Sequence, residues 1–496
     1  MPSSAKRLKL GFGNRILLSF TFAACLLAVE TTPVHSFAAD KSAAPAGYSS
    51  SSGLVNDWLR KQSDDFTEWD LGGQFRVRYE NKENAGSFPN RDFIRLGQEN
   101  SNDYLLFREK IHLGCTPLPW VGFYAEMRDS RELWDKRSPS PEADSFDLHQ
   151  AFISLGNPKR FPLELKVGRQ ELAYGDQRFI GIRDWSNVGR VFDIAKLRFE
   201  NENFWMDTFA GRVVVPFDSR FNVVDDYDWL SGLYFSSQKL VPWQETQMFF
   251  LSRNVSTGSI NGVAAGTAGL GPRDIYSIGT RWRSLPDQLD GWDYGLEFVA
   301  QLGSVNSGGK MPQQLDQEAF GVFVSGGYTW IGAWGTPRLG LGYDYGSGDS
   351  NPNDSKSETL DNLFGAFHRL YGAMDLFGAR NMHIPRVSAS LEPAKNLTLS
   401  ADYLWFRLVE TTDYLYPESG PGRSLNGYGI HPGFCSNAGS EIDLTANYTI
   451  TPWGSLQAGY GHFFVGDYIR QSVDTVKANG GAMDANWCYV QMTVVF

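Results

Sequence analysis

Cysteine is scarce in this 496-residue sequence, and long apolar runs are absent outside its N-terminal region. Beyond the N-terminal Cys25, only Cys115, Cys435 and Cys488 occur, which are too few and too scattered for a disulfide framework, so we expect free thiols. From Leu71 onward no run reaches the roughly 18 apolar residues that a membrane-spanning helix needs. A bundle of membrane helices is therefore excluded.

Sequence motifs of catalysis and phosphate binding are also missing. The chain has no Gly-x-Ser-x-Gly, no His-Glu-x-x-His and no Gly-x-x-x-x-Gly-Lys, so we expect no enzyme, no cofactor and no energy source on this chain. Residues 349–354 resemble half of a calcium loop. They lack the glycine at the sixth position, and Leu360 stands where the bidentate glutamate belongs, so a hydrated loop is favoured over a metal site.

Acidic residues outnumber basic ones, which excludes nucleic acid as a partner. The sequence holds 45 Lys and Arg against 56 Asp and Glu, a formal net charge of -11. Loss of residues 1–38 would remove four bases and Glu30, which brings the mature chain to about -14.

The N-terminus has the pattern of a secretory signal. Four bases precede the apolar run from Ile16 to Val29, and Ser36-Phe37-Ala38 offers small residues at the cleavage site. Lipidation at Cys25 is the weaker alternative, because the apolar run continues past it. We expect a signal peptide over residues 1–38, a flexible leader over 39–66 with a short amphipathic helix near 54–66, and one domain over 67–496.

Alternating apolar and polar residues dominate that domain. In the segment 71–80, for example, Arg76 and Arg78 share one face with Gln74 and Glu80, while apolar residues occupy the other. About 18 segments between residues 71 and 496 show this split, with lengths that suit tilted membrane strands. The pattern predicts an all-β fold, an antiparallel transmembrane β-barrel of about 18 strands.

Connection lengths support a barrel over a soluble β-sandwich. Tight turns such as 116–119 and 451–452 alternate with long loops such as 171–189 and 346–384. Short periplasmic turns and long extracellular loops produce this alternation, whereas a sandwich has no reason to sort its loops in this way. In the longest loop we expect a short helix near 360–367 and structural roles for His368 and His383.

The chain resembles the alginate export porin family of bacterial outer membranes. Four stretches carry the resemblance: GRQELAYGDQR (168–178), WSNVGRVFD (185–193), DNLF with YGAMD (361–375) and GHFFVGD (461–467). The final strand, ending at Phe496, also resembles the assembly signal of outer-membrane barrels. The family implies a passive conduit for an anionic polysaccharide that is supplied by a periplasmic assembly. The tight turn 451–454 departs from a well-known member that carries a long periplasmic plug.

Charged residues on the strands predict the chemistry of the lumen. An arginine facing lipid costs about 2–4 kcal/mol at the bilayer midplane, so the basic residues of the strands must point inward. Because side chains alternate along a strand, this also fixes which other residues of the same strand face the lumen. Basic positions belong mostly to the first half of the chain, and the acidic inward positions Glu297, Asp344, Asp402, Glu441 and Asp443 belong to the second. We therefore expect a basic wall that faces an acidic one.

Pore-lining or substrate-binding residues are predicted on this wall and on the loop 171–189. They are Arg76, Arg78, Arg108, Lys110, Arg128, Arg169, Asp176, Arg178, Arg183, Arg190, Asp193, Lys196, Arg198, Arg281 and Arg283. We hypothesise that the loop folds into the lumen, that its arginines narrow the passage, and that Asp176, Asp184 and Asp193 hold those arginines by ion pairs. The alternative is that these pairs only order the loop.

Three functions fit these features to different degrees. A passive channel that exports an anionic, alginate-like polysaccharide is favoured, with outer-membrane lipid as surroundings and periplasmic export components as possible partners. A diffusion porin that takes up sugars or small anions is the alternative. A barrel enzyme is disfavoured, because no nucleophile constellation is present.

Overall fold

The computed structural model describes residues 53–158, 160–218, 220–260, 263–264, 271–306 and 313–496. The predicted signal peptide and the first half of the predicted leader lie outside the described residues. The first element is helix α1 (Leu54–Gln62), which a 3-10 turn (Asp64–Glu68) follows, in agreement with the amphipathic helix expected near 54–66. Asn56 of α1 donates a hydrogen bond to the carboxylate of Asp70, which attaches the helix to the first strand.

Eighteen long strands follow in antiparallel order. They are β1 (Trp69–Glu83), β2 (Asn102–Leu118), β3 (Val121–Leu133), β4 (Asp144–Gly156), β5 (Leu163–Gln170), β6 (Phe192–Glu200), β7 (Trp205–Val215), β8 (Val223–Val241), β9 (Gln244–Val255), β10 (Arg273–Ser284), β11 (Trp292–Asn306), β12 (Gln314–Thr329), β13 (Arg338–Gly346), β14 (Met382–Ala394), β15 (Leu397–Leu408), β16 (Asn437–Thr451), β17 (Gly454–Val465) and β18 (Ala485–Val495). Two-residue strands at Ser259–Ile260, Val263–Ala264 and Lys356–Ser357 belong to loops.

Pairing of the last strand with the first closes the sheet. Each long strand pairs with its neighbours in sequence, and β18 pairs with β1 in a register that sets Arg76 opposite Thr493. Closure leaves no unpaired edge among the eighteen strands, which a barrel in lipid requires. The predicted 18-stranded antiparallel barrel is confirmed.

Loop length alternates between the two ends of the barrel, as predicted. Two residues join β2 to β3 and β16 to β17, whereas the connections after β5 and β13 span residues 171–191 and 347–381. We call these two long loops L3 and L7.

No helix of the described residues is both long and apolar enough to cross a membrane.

The two faces of each strand differ as the alternation predicts. On β1, Arg76 and Arg78 are only 3% and 1% exposed, whereas Tyr79 between Arg78 and Glu80 is 38% exposed on the outer face. Large apolar side chains such as Ile111 and Leu113 are likewise exposed outside the barrel. The period of two therefore separates a lipid-facing wall from a polar interior.

L3 and L7 meet inside the barrel and share a buried apolar core. Ile180 of L3 forms a parallel bridge with Phe364 of L7, and the Gly181 amide donates to the Phe364 carbonyl at 2.9 Å. Phe179 packs edge-on against Phe323 of β12, with ring centroids 6.0 Å apart. Apolar packing of inserted loops against the wall thus fills part of the lumen.

Two local expectations are wrong. Residues 360–367 form no helix, because the amides of Phe364 and Ala366 donate to carbonyls of L3. The second described α-helix is instead α2 (Asp467–Asp474), in the loop between β17 and β18. His383 lies on β14 rather than in L7.

Gly73 offers a test of the closure between β1 and its two neighbours. A Cβ at this position would lie 2.3 Å from the Lys110 carbonyl oxygen and 2.6 Å from the Phe496 ring. We expect Gly73→Ala to destabilise the barrel by about 1–3 kcal/mol through overpacking. The measurement is the temperature at which the folded gel band shifts on heating. Gly326→Ala, whose nearest added contact is 3.3 Å, is the matched control, and equal shifts in both variants would contradict the prediction.

Candidate functional site

L3 enters the lumen through a tight turn at its start. Gly175 adopts a φ of +55°, a left-handed conformation that glycine accommodates without strain. The Gln177 amide donates to the Tyr174 carbonyl at 2.9 Å, and Tyr174 itself stacks on Tyr234 of β8 with centroids 4.5 Å apart. The aromatic anchor and the turn direct the following residues across the barrel.

Three arginines of the basic wall hold the tip of L3 through its peptide oxygens. Arg76 donates to the Asp184 carbonyl at 2.7 Å, Arg78 donates to the Trp185 carbonyl at 2.7 Å, and Arg108 donates to the Asp184 carbonyl at 3.0 Å. Arg108 also pairs with the Asp184 carboxylate at 2.8 Å. Burial raises the pKa of Asp184, but the charge of Arg108 and neighbouring bases outweighs burial, so the net pKa lies well below its ordinary value.

Trp185 at this tip is enclosed between a cation and an imidazole ring. The Arg78 guanidinium lies 3.7 Å from the centroid of the Trp185 ring, and His368 of L7 stacks on it at 3.8 Å with an interplanar angle of 5°. Cation–π and stacking contacts therefore join β1, L3 and L7 in one column.

Charged residues of L3 pair with residues of opposite charge on both walls of the barrel. Arg178 lies 3.4 Å from Glu297 of β11 and 3.2 Å from Asp344 of β13, while Asp176 pairs with Arg281 of β10. Burial opposes the charge of Arg178, yet the adjacent Asp344 carboxylate and its neighbours leave the pKa of Arg178 raised. Because L3 contacts both walls, it neutralises part of the acidic wall and part of the basic wall.

Of the expected ion pairs, that of Asp193 with Arg169 forms, at 2.8 Å, and those of Asp176 and Asp184 with loop arginines are wrong. We expected Asp176 and Asp184 to hold the loop arginines, but both bind arginines of the wall. Arg190 makes its hydrogen bonds with carbonyl oxygens, which include that of Gly365 at 2.9 Å. Arg183 lies 3.6 Å from Glu418, outside L3.

L7 is anchored to the barrel wall at two places, one in the middle of the loop and one in its second half. Arg273 of β10 pairs with Asp361 at 2.8 Å, and burial opposes but does not prevent the lowering of the Asp361 pKa to about 2 by Arg273 and Arg253. Further along, the Ala373 amide donates to Asp443 at 2.9 Å and the Met374 amide donates to Glu441 at 3.0 Å. Two inward carboxylates of β16 thus bind L7 through its backbone.

Most of the predicted pore residues lie inside the barrel, at two levels of exposure. The buried ones are Arg76, Arg78, Arg108, Arg128, Arg178, Lys196, Arg198 and Arg281. Those that retain partial exposure are Lys110, Asp176, Arg183, Arg190 and Arg283. The buried arginines support the alternative that ion pairs order the loop, while a pore-lining role for the partly exposed residues stays a prediction.

Arg169 and Asp193 are corrections to the predicted site. Arg169 shares the face of β5 that carries Val167, and Asp193 shares the face of β6 that carries Ala195 and Leu197. Because Val167 and Leu197 are exposed on the outer wall, the Arg169–Asp193 pair lies outside the barrel and not in the lumen. A strict count of alternation from Val167 would have placed Arg169 correctly.

Beside Arg253 and Arg273, which contact L7, the inward arginines that the sequence reasoning missed include Arg386 and Arg369. Arg386 alternates with Val387 on β14 and points inward, so its period-two pattern with Ile384 and Ser388 could have identified it. Arg369 lies exposed on L7 with a φ of +67°, and no periodic signal marks it. Both belong to the half of the barrel that the sequence suggested was acidic.

One cluster has the spacing of a metal site but contains its own counter-charges. Ligand atoms of Glu126, His149 and Glu171 lie within 4.8 Å of one another. Lys110 Nζ lies 3.6 Å from Glu126 and 3.3 Å from Glu171, and Arg128 binds Nδ1 of His149 at 2.7 Å. Lys110 pairs with both carboxylates and Arg128 binds one imidazole nitrogen, so we assign the cluster to a polar network that attaches L3.

Removing Arg178 should loosen L3 locally. Arg178→Met leaves Glu297 and Asp344 buried without a partner, a change that costs about 3–5 kcal/mol. We expect faster hydrogen exchange in residues 172–190, and recovery when Glu297→Gln and Asp344→Asn are added. Arg183→Met, which breaks a longer and partly exposed pair, is the control. Unchanged exchange in Arg178→Met would show that the pair does not hold the loop.

L7 should become less stable as pH rises. Burial, with a contribution from Glu80, raises the pKa of Asp375 to about 7 against opposing bases, and His368 Nδ1 lies 2.9 Å from its carboxylate. A raised pKa means that stability is complete below the ordinary carboxyl pKa of about 4 and is lost as pH rises through 7.

Hydrogen exchange of residues 368–378, corrected for intrinsic rates, should therefore accelerate between pH 5 and pH 8. Asp375→Asn imitates the protonated carboxyl group and should remove this dependence. An identical pH profile in the variant would refute the assignment to Asp375.

Comparison with known proteins agrees with this geometry. Residues 67–482 match the Alginate export family. The outer membrane protein OpdK from Pseudomonas aeruginosa has a similar fold (TM-score 0.55, 12% identity, covering 86% of this chain and 99% of OpdK). OccAB4 from Acinetobacter baumannii is also similar (TM-score 0.51, 11% identity, 86% and 98% coverage). No curated protein sequence matches the chain. The chain belongs to the Alginate export family and is an 18-stranded channel of the bacterial outer membrane.

Proposed function

We propose that the protein is a passive channel through which an anionic, alginate-like polysaccharide crosses the outer membrane. The family match supports a polysaccharide substrate. The observation that carries the proposal is a pair of inward guanidinium groups, Arg369 and Arg386, which are bound by neutral oxygens.

The hydrogen-bond partners of both guanidinium groups are uncharged oxygens, so no direct salt bridge from the described residues offsets their charge. Arg369 donates to the Thr445 hydroxyl at 2.9 Å and to the Ser400 hydroxyl at 3.3 Å. Arg386 donates to the backbone carbonyls of Arg369 and Leu370, both at 3.4 Å. Within the described ranges neither guanidinium forms a salt bridge, in contrast to Arg108, Arg178 and Arg281.

This arrangement suits a polymer that carries one carboxylate on each sugar. The planar guanidinium fork binds both oxygens of a carboxylate, and several weak contacts in series allow a chain to slide. A net charge near -14 does not oppose entry, because exposed charges are screened beyond about 8–10 Å while lumen charges act at short range.

The chain provides no energy of its own for transport. Its sequence lacks a phosphate-binding loop, so a polymer moves through it down whichever gradient is present. The family match makes export the proposed direction, and periplasmic components that deliver the polymer are the proposed partners.

A diffusion porin for small anions is the second candidate. The contact between L3 and L7 supports it, because buried side chains such as Phe179, Ile180 and Phe364 occupy space inside the barrel. A narrowed lumen favours small solutes over a hydrated polymer.

Single-channel recording in planar bilayers separates the two candidates. The wild-type channel should prefer chloride over potassium, and oligouronates should block it. Arg369→Gln with Arg386→Gln should lose most of the selectivity and weaken block about tenfold, a change of about 1.4 kcal/mol in binding. Arg212→Gln, on the outer face of β7, is the matched control and should behave as wild type.

The outcomes that contradict the proposal are specific. Permeation by monomeric uronate without block by oligouronates would favour the small-anion porin. Unchanged selectivity and block in the double variant would remove Arg369 and Arg386 from the mechanism.

A further inference from the structure

The outer wall of β5, β6 and β7 carries a row of charged residues near the long-loop end of the barrel. Arg169 of β5 stands directly opposite Asp193 of β6, and Asp193 stands directly opposite Arg212 of β7. Arg212 shares the outer face of β7 with Ala210 and Thr208, which are exposed. We call Arg169, Asp193 and Arg212 the charged row.

The apolar wall beneath the charged row is short. Each of the three strands has only three outward positions between the row and its periplasmic end, and these positions hold uncharged residues. They are Leu163, Leu165 and Val167 on β5, Ala195, Leu197 and Phe199 on β6, and Met206, Thr208 and Ala210 on β7. Three outward positions cover four residue steps, or about 13 Å along a strand that rises about 3.3 Å per residue.

The apolar wall is taller on other strands. On β11 six outward positions from Trp292 to Leu302 carry no charge, and on β16 five outward positions from Ile442 to Ile450 carry none. These runs cover about 33 and 26 Å along the strand. A strand tilt of about 40° reduces such lengths by about a quarter, which leaves a height of about 25 Å on β11 and about 10 Å on β5 to β7. Inclusion of Phe161, which is exposed in the turn before β5, raises the latter height to about 15 Å.

The missing height lies at the outer-leaflet end of the wall. Arg169 is the residue before the last of β5, so the charged row lies where L3 begins. The turns at the other end of β5 to β7 carry Phe161 and Phe204. Aromatic residues are typical of the interfaces of such barrels, so these turns have the usual composition of the inner-leaflet boundary. The outer-leaflet boundary of the apolar wall is the one that is displaced.

Ion pairs within the wall show that the charged row needs water and not a ligand. Arg169 donates to both carboxylate oxygens of Asp193, at 2.8 and 3.1 Å, and Arg212 pairs with Asp226 of β8. Charged side chains on the lipid face are costly at the bilayer midplane and tolerated near the interface. The short side chain of Asp193 cannot extend to an interface far above it. The charged row therefore lies at the headgroup level.

Tilting of the barrel cannot compensate for the short wall. A tilt moves the upper and lower ends of one side of the barrel together, so the height of that side stays the same. A bilayer that is thicker than the apolar surface beside it becomes thinner at that surface. We propose that the outer membrane is thinner beside β5 to β7 than beside β11 and β16, by roughly 10 Å, and that its outer-leaflet headgroups descend to the charged row.

Depth measurements with nitroxide labels on the protein in lipid vesicles test this inference. Ala195→Cys on β6 and Ala446→Cys on β16 are a matched pair, because both alanines face outward and lie five residues before the periplasmic end of their strands. Power-saturation EPR compares collisions of the label with oxygen, which concentrates in hydrocarbon, and with a water-soluble nickel chelate. The ratio of nickel to oxygen collisions should be several-fold higher at position 195 than at position 446.

The labels are placed in the full chain with Cys115→Ser, Cys435→Ser and Cys488→Ser, so that each variant carries one reactive thiol. Heat modifiability checks that each variant is folded.

Removal of the charges should restore a tall apolar wall. Arg169→Leu with Asp193→Leu should lower the ratio of nickel to oxygen collisions at position 195 toward the value at position 446. The label at position 446 in the same variant is the control and should not change. The comparison of the two labels in the unchanged wall tests the inference even where the leucine variant does not fold.

Three results would overturn the inference. Equal ratios at the two labels would place the charged row inside a bilayer of full thickness. Low collision rates with both reagents at position 195, together with spin–spin broadening, would show that a second copy of the chain covers this wall. An unchanged ratio at position 195 in the leucine variant would show that the charged row does not determine the boundary of the bilayer.

Discussion

Binding of L3 peptide oxygens by buried arginines is the interaction on which the interior depends. Arg76, Arg78 and Arg108 stand on a wall where water cannot solvate them once L3 is in place, so their donors need acceptors. The carbonyls of residues 184–186 provide acceptors for all three, and carboxylates add ion pairs, Asp184 to Arg108 and Glu80 to Arg78. The position of L3 and the charge of this wall therefore depend on each other, because the arginines need the carbonyls of L3 and L3 is held by the arginines.

The fold was predictable because two simple signals agree. Alternation of Arg76 and Arg78 with apolar neighbours indicates which face of the strand points into the lumen. The alternation of short and long connections indicates at which end of the barrel each connection lies. Both signals are local in sequence. Register also identifies Arg169 and Asp193 as outward residues, although we expected them in the lumen because they flank L3.

Details of the inserted loops were less predictable, because their partners are distant in sequence. The predicted helix at 360–367 is replaced by pairing with L3, so a tertiary contact overrides local preference. No spacing in the sequence links Arg178 to Glu297 and Asp344, which are 119 and 166 positions away. The sequence indicated which residues belong to each wall, but it did not indicate which loop residues contact them.

Contacts of L3 with both ends of the chain have a consequence for barrel assembly. Trp185 packs against Trp487 of β18 with ring centroids 6.0 Å apart, and its carbonyl binds Arg78 of β1. Such high contact order makes these contacts slow to form, because loop-closure entropy is lost before they stabilise the chain. L3 therefore cannot reach its final packing until β18 has been added. The final packing of L3 in the lumen thus depends on the closure of the barrel between its first and last strands.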